Sequence, residues 1–226
     1  LCALFFLKES LSKENRSDKN IESNSLIKNW GLIFRRPILP LIIFLGLGMM
    51  YVTGTFETIF PLWTNKRFSW SPMDIGYCLT YIGLVVTLMQ AMVIGKIVPI
   101  LGEARVIRIS FFGYALGLMV MSQAPNWEIM LVGLTLSASS GAAFGTSASS
   151  LVSKVAGDKE KGFVLGVYQS GCWLGRITGP LTAGALFSLL DVNAPLYAGI
   201  IILIPCIIVV GLISKKMKQQ ALHSSI

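Results

Sequence analysis

Charge is what this chain has least of. Only 13% of its 226 residues are Asp, Glu, Lys or Arg, about half the share of an ordinary soluble domain. A soluble fold of this length needs a polar surface around its core, so a single soluble domain is excluded. Histidine is nearly absent: His223 stands alone in a polar stretch and receives no role. The four cysteines, Cys2, Cys78, Cys172 and Cys206, all fall in apolar segments, without C-x-x-C spacing or a histidine partner. They read as small buried hydrophobes, so neither a metal site nor a disulfide framework is expected. Paired acids, a His-rich cluster or an activated nucleophile are also missing from the apolar segments. An enzyme is therefore not expected, nor any cofactor.

What the chain has instead is apolar sequence in long blocks. Apolar residues make up 54% of it and the mean hydropathy is +0.69. Six blocks run roughly over Pro37–Trp63, Ile75–Ile94, Val106–Gln123, Ile129–Val152, Phe163–Leu190 and Pro195–Ile213. About 20 helical residues cross the hydrocarbon of a bilayer. Lipid offers no hydrogen bonds to an open backbone, so these blocks must be helices. The expected fold is an all-α integral membrane bundle of six transmembrane helices over residues 37–213.

The few charges give an orientation. Of the 19 lysines and arginines, all but Lys66, Arg67 and Arg176 fall before the first block, after the sixth, or in the second-to-third and fourth-to-fifth connections. All those regions lie on one side of the membrane. The positive-inside rule makes that side cytoplasmic, which places both ends of the segment inside and the chain in the cytoplasmic membrane as a multi-pass protein. The net charge of +8 is thus a topology signal in contact with the lipid bilayer, and no nucleic-acid partner is expected. The opening LCALFFL, residues 1–7, reads as the end of a preceding transmembrane helix and not as a secretory signal. Residues 8–36, with the run SKENRSDKNIESNS, read as a cytoplasmic linker, and 214–226 as a cytoplasmic tail.

Small residues recur at four-residue intervals in two of the blocks. Gly133, Ser137, Gly141, Gly145 and Ser149 make one ridge in the fourth, and Gly171, Gly175, Gly179 and Ala183 make another in the fifth. Such ridges let helices approach closely in lipid, and they also allow neighbours to slide. Pro180 and Pro205 lie inside the fifth and sixth blocks, where each is expected to kink its helix.

With Arg108, at the very start of the third block, counted in the connection before it, Glu57, late in the first block, and Arg176, near the middle of the fifth, are the two charges left inside the apolar blocks. A charge at the bilayer centre costs roughly 2.5 to 3.5 kcal/mol, so it faces a partner or a wetted interior. Counted at about 1.5 Å per residue from the block starts, Glu57 lies about 30 Å and Arg176 about 20 Å from the inner surface. For Arg176 the open readings are a structural ion pair or backbone partner, and a role toward substrate or gating. For Glu57 they are a place at the outer headgroups and a proton-carrying role. Gln169 and Trp173 share the polar side of the Arg176 helix. Tyr77 and Tyr81, one turn apart, offer either an aromatic wall to a ligand or an interfacial belt. Met49, Met50, Met89 and Met92 offer either an adaptable binding surface or core filling.

The run GFVLGVYQSGCWLGRITGPLTAG resembles the eleventh helix of the major facilitator superfamily, in particular its drug:proton antiporter branch, through Gln169, Ser170, Arg176, Gly179, Pro180 and Gly184. The string ETIFPLWTNKRFSWSPMDIG is similar to the end of helix seven and the start of helix eight. In the next loop, GKIVPILGEARVIR keeps only Gly95 and Gly102 of the family's cytoplasmic signature, with Arg105 nearby. Pro99 and Ile100 stand where an Asp and an Arg belong.

The resemblance covers nearly the whole chain, as helices seven to twelve of a twelve-helix fold, and so implies a missing N-terminal six-helix half as partner. It further implies a secondary transporter working by alternating access. Its central cavity would be lined by Thr53, Glu57, Tyr77, Tyr81, Gln90, Gln169, Trp173 and Arg176, with protons as the coupling ion and a small amphipathic drug or metabolite as the exported substrate. An uptake permease of the same superfamily and a non-transporting membrane scaffold subunit are the competing readings.

Overall fold

The structure is a computed structural model that describes residues 38–156 and 160–223. Six long helices carry it: α1 (Leu39–Phe68), α2 (Pro72–Met92), α3 (Glu103–Gln123), α4 (Trp127–Val155), α5 (Lys161–Leu189) and α6 (Ala194–His223). Each corresponds to one apolar block, and the described residues form an all-helical bundle. The expected end of a preceding helix at 1–7 and the linker at 8–36 lie outside the described residues.

Helix ends explain where block and helix differ. α1 runs five residues past the expected Trp63 because Lys66 and Arg67 occupy its last turn, where positive charge suits the negative end of the helix. Ser69, left-handed at φ 55°, then stops it by donating its N–H to the Asn65 carbonyl. A capping box opens α2: the Ser71 hydroxyl accepts from the Asp74 N–H, and the Asp74 carboxylate accepts from the Ser71 N–H. Past Met92 the helix does not end, but continues through a π-helical turn, Val93–Ile97, and a short helix, Val98–Leu101. Pro99 accounts for the wider turn, since it has no N–H and its ring would crowd the Gly95 carbonyl in a regular helix. Gly102, at φ 77°, reverses the chain into α3. Asn126 caps α4 by accepting the Ile129 N–H. α5 and α6 each pass through the expected Pro180 and Pro205 as single helices, and α1 passes through Pro61.

Two tight helix pairs organise the bundle. α1 packs along α5 and α3 along α4, while α6 closes against α3 and α1, and α2 leans on α4. The core lies between them, with Ile42, Leu45, Met49, Val52, Ile59, Phe60 and Trp63 of α1, Phe111, Leu118 and Met121 of α3, and Phe144 of α4 all buried. Phe111 and Phe144 meet edge to face at 5.3 Å. Met49 is thus core, and Met89 is packed against the small buried group of Val93, Val106 and Ala143. Cys78, Cys172 and Cys206 are free and buried.

The glycine ridges make these contacts possible. A Cβ on Gly175 would overlap the Leu47 carbonyl oxygen, and one on Gly179 would overlap that of Tyr51. Gly171 faces Ile43, so α5 lies on α1 almost backbone to backbone. On the other pair, a Cβ on Gly133 would come 2.7 Å from the Gly117 carbonyl oxygen. Further along α4, a Cβ on Gly141 would come tightly, at 3.3 Å, against the Tyr114 ring, and one on Gly145 would meet nothing within 4 Å. The α4 ridge is therefore a packing surface near its N-terminal end and a cavity wall further along.

Among the described residues, five helices are long and apolar enough to cross a membrane: α1 to α4, and Ala194–Gly211 of α6. α5 does not reach that apolarity, because Gln169, Ser170, Arg176 and its glycines dilute it, but 29 residues give it a length of about 43 Å, enough to span. Its small face is turned to α1 and so does not have to meet lipid. α2 is at the other extreme, since Cys78 is its one buried residue.

At one end of the bundle, Glu103 opens α3 and is only 7% exposed. It forms an ion pair with Lys154 and accepts a 3.0 Å hydrogen bond from the Ser150 hydroxyl, both on α4. The opposite end is held by Arg67, which donates to the Ala124 carbonyl at 2.9 Å and to Asn193 Oδ1 at 3.3 Å.

Candidate functional site

The close α1–α5 seam decides the environment of the two membrane charges. A Cβ on Gly54 would lie 2.8 Å from the Arg176 carbonyl oxygen, so the two residues are level in the bundle. Both stand 15 residues from the observed starts of their helices, Leu39 and Lys161. Glu57 is three residues further on, an offset of about 4.5 Å in place of the roughly 10 Å counted from the block boundaries. The arginine side chain spans that offset. Arg176 Nη2 donates to Glu57 Oε2 at 2.5 Å, and both side chains are about half exposed, at 40% and 49%. Trp173, one turn before Arg176, holds its ring 5.6 Å from the guanidinium carbon, within cation–π range. Tyr51 and Thr182 share a hydroxyl hydrogen bond along the same seam.

The ion pair borders a partly open cavity of about 580 Å³ lined by α1, α2, α3, α4 and α5. Its walls are mostly apolar, with Met50, Phe56, Phe60, Leu79, Ile82, Val86 and Leu134, and a few polar groups converge on it: Thr53, Glu57, Gln90, Tyr114, Ser137 and Arg176. That is the usual make-up of a small-molecule site, in which apolar walls provide contact area and sparse polar groups orient the ligand. The floor is made by Gly141, Ala142 and Gly145 of α4, where bare backbone leaves the space open.

Four of the expected liners, Thr53, Glu57, Gln90 and Arg176, are brought together here. Trp173 stands beside Arg176 but is 59% exposed, and Gln169 is exposed two turns below, away from the cavity wall. Tyr77 and Tyr81 belong to a second cavity, of about 560 Å³, between the start of α2 and the start of α4. Tyr114 and Ser137 escaped sequence reading because neither carries a charge. Ser137 was visible only as a member of the α4 ridge. No group of His, Cys, Asp and Glu able to hold a metal occurs among the described residues.

Comparison with known proteins agrees with this architecture. The profile of the Major Facilitator Superfamily matches residues 1–120 and 68–224. Multidrug resistance protein 2 of Bacillus subtilis (strain 168) is 28% identical over 207 residues, which is 89% of this chain and 50% of that protein. Quinolone resistance protein NorA of Staphylococcus aureus (strain MRSA252) is 29% identical over 210 residues, 90% of this chain and 52% of the relative. The chain thus spans about half the length of the curated relatives it matches. Among solved structures, the human organic anion transporter MFSD10 (TETRAN) shares the fold, with a TM-score of 0.65 over 76% of this chain and 39% of that one, at 22% identity.

Proposed function

The chain belongs to the major facilitator superfamily, and on that premise we propose that it forms the second six-helix half of a secondary transporter that exports a small amphipathic drug or metabolite in exchange for protons. The resistance functions in the names of its Bacillus and Staphylococcus relatives support export of drug-like compounds. In this reading the first half precedes residue 37, joined through a cytoplasmic linker. Both ends of the present segment face the cytoplasm, since its basic residues concentrate on that side.

One observation carries the proposal: the Glu57–Arg176 ion pair lies on the wall of the largely apolar cavity. Glu57 is the carboxylate in that wall. When it takes up a proton, its negative charge is lost and Arg176 is released to a different partner, so the two facing states differ in their affinity for protons. Coupling requires a difference of that kind. Thr53, Gln90 and Ser137 then orient the ligand's polar groups, while Met50, Phe56 and Phe60 take up its apolar body.

The test uses the full-length protein in everted membrane vesicles, with proton-driven drug uptake and protein abundance measured together. Glu57→Gln and Arg176→Ala should each abolish proton-driven uptake at normal abundance. Unchanged uptake in both variants would reject Glu57 and Arg176 as coupling groups.

A further inference from the structure

The second cavity lies away from the ion pair. It is an open recess of about 560 Å³, and its walls come from three separate stretches: the α1–α2 link, the first turns of α2 and the first turn of α4. Each stretch contributes aromatic rings. Trp70 comes from the link, Tyr77 and Tyr81 from α2, and Trp127 from α4, while the carboxylate of Asp74 stands among them. An interfacial belt spreads aromatic rings around the outside of a bundle. Here five rings, those four and Phe68 at the end of α1, converge on one concave volume of drug-molecule size.

We propose that this recess is a second ligand site, distinct from the ion-pair cavity, that binds organic cations: the faces of Trp70, Tyr77, Tyr81 and Trp127 hold the cation and Asp74 supplies the countercharge. Aromatic faces carry negative quadrupole charge and draw in a weakly hydrated cation. Asp74 has the capacity to take part. Both of its hydrogen bonds from Ser71, at 2.9 and 2.6 Å, fall on Oδ2, which leaves Oδ1 uncommitted among the described residues. Its charge also offsets the positive end of α2, which would otherwise oppose a cation at this place. Glu128, next to Trp127 in the first turn of α4, adds a second negative charge at the same end. The two basic residues of this end are engaged elsewhere. Lys66 lies over the Phe187 ring at 4.8 Å, Arg67 is bonded to Ala124 and Asn193, and neither lines the recess. Tyr77 and Trp127 are 69% and 49% exposed, so the recess is accessible. The hydroxyl of Tyr81 is hydrogen-bonded to Thr135 at 2.7 Å, which fixes that ring on α4 ahead of any ligand.

Photolabelling of the detergent-purified full-length protein tests this separately from transport. The probe is an azide-bearing triphenylphosphonium, with an azide-bearing triphenylphosphine oxide as its neutral counterpart, and cross-links are mapped by mass spectrometry. The cation should mark residues 68–81 and 127–131 at concentrations where the neutral compound does not. Asp74→Asn and Trp127→Leu should each raise the concentration for half-maximal labelling there roughly tenfold. Asp74→Glu, which keeps both the charge and a capping acceptor, should stay near wild type and shows that a loss in Asp74→Asn is not a folding defect. Equal labelling of this segment by the neutral compound, labelling only elsewhere, or a cation affinity unmoved by Asp74→Asn would overturn the proposal.

Discussion

Glu57 and Arg176, joined by their side chains, each stand four residues before a proline, Pro61 in α1 and Pro180 in α5. A proline inside a helix takes away the N–H that would bond the carbonyl four residues earlier. The carbonyls released are therefore those of the ion-paired residues themselves. In α5 that carbonyl is the atom lying against Gly54, where a glycine Cα–H offers it a weak donor. Both helices thus lose a rung of their hydrogen-bond ladder at the level where their charges meet.

That coincidence predicts a separation between stability and transport. Pro180→Ala restores the missing rung, so the thermal midpoint of the purified full-length protein should be unchanged or higher. If the softened helix serves the change between facing states, drug flux in vesicles should fall several-fold at equal abundance. Wild-type flux from a protein that is also no less stable would show that the softness has no part in transport.

The ion pair should show strong non-additivity. With side chains 40% and 49% exposed, its net worth is on the order of 1 kcal/mol. Either charge left without its partner inside the membrane costs more, roughly 2.5 to 3.5 kcal/mol at the bilayer centre. Glu57→Gln and Arg176→Gln should therefore each destabilise more than the double variant. Unfolding of all four proteins in one detergent gives the coupling energy directly, and additive effects would mean the two side chains do not feel each other.

Much of this could be read in the amino-acid sequence, and the boundary of what could is physical. Hydrophobic runs located six helices because bilayer thickness imposes a length that composition alone reveals. The spacing of Gly171, Gly175 and Gly179 marked a contact face, and the structure names its partner as Leu47 and Tyr51 of α1. What the sequence lacked was register between elements. Block starts at Pro37 and Phe163 separated Glu57 from Arg176 by about two helical turns, whereas the actual offset is three residues, less than one turn. Gly145 repeats the spacing of Gly133 yet opens onto a cavity, a difference that depends on where α3 leaves α4. Glu103 read as a loop charge, since burial against Lys154 and Ser150 needs the C-terminal end of α4 folded beside it. Pro61 lay in view within the first block, but its meaning depends on the pairing of Glu57 with Arg176.

Glycines along the ridges should respond to substitution in two opposite ways. Gly175→Val pushes two methyls into the Leu47 carbonyl and the Tyr51 N–H, and overpacking of that kind costs about 1 to 3 kcal/mol or prevents the α1–α5 seam from closing. Gly145→Ala adds its methyl to open space and relieves a helix-interior glycine, a gain of about 0.5 to 1 kcal/mol. Thermal midpoints of the two variants should move in opposite directions. A Gly145→Ala protein of normal stability with altered drug selectivity would further place that wall in contact with substrate.

Arg67, at the end of the bundle opposite Glu103, makes the sharpest case for geometry over charge. Its guanidinium reaches the Ala124 carbonyl between α3 and α4 and Asn193 between α5 and α6, and lies 5.7 Å from the Trp63 ring. Trp63 itself donates to the same Asn193 oxygen at 2.9 Å. One planar fork thereby links three parts of the bundle, which a single ammonium group cannot do. Arg67→Lys keeps the charge and should still lose about 1 to 3 kcal/mol, the worth of hydrogen bonds from a charged donor. Arg67→Ala should be no more than slightly worse, and in an Asn193→Ala background either change should cost less but still show the loss of the bond to the Ala124 carbonyl. A lysine variant as stable as wild type would mean that charge at this position, and not the fork, holds these helix ends together.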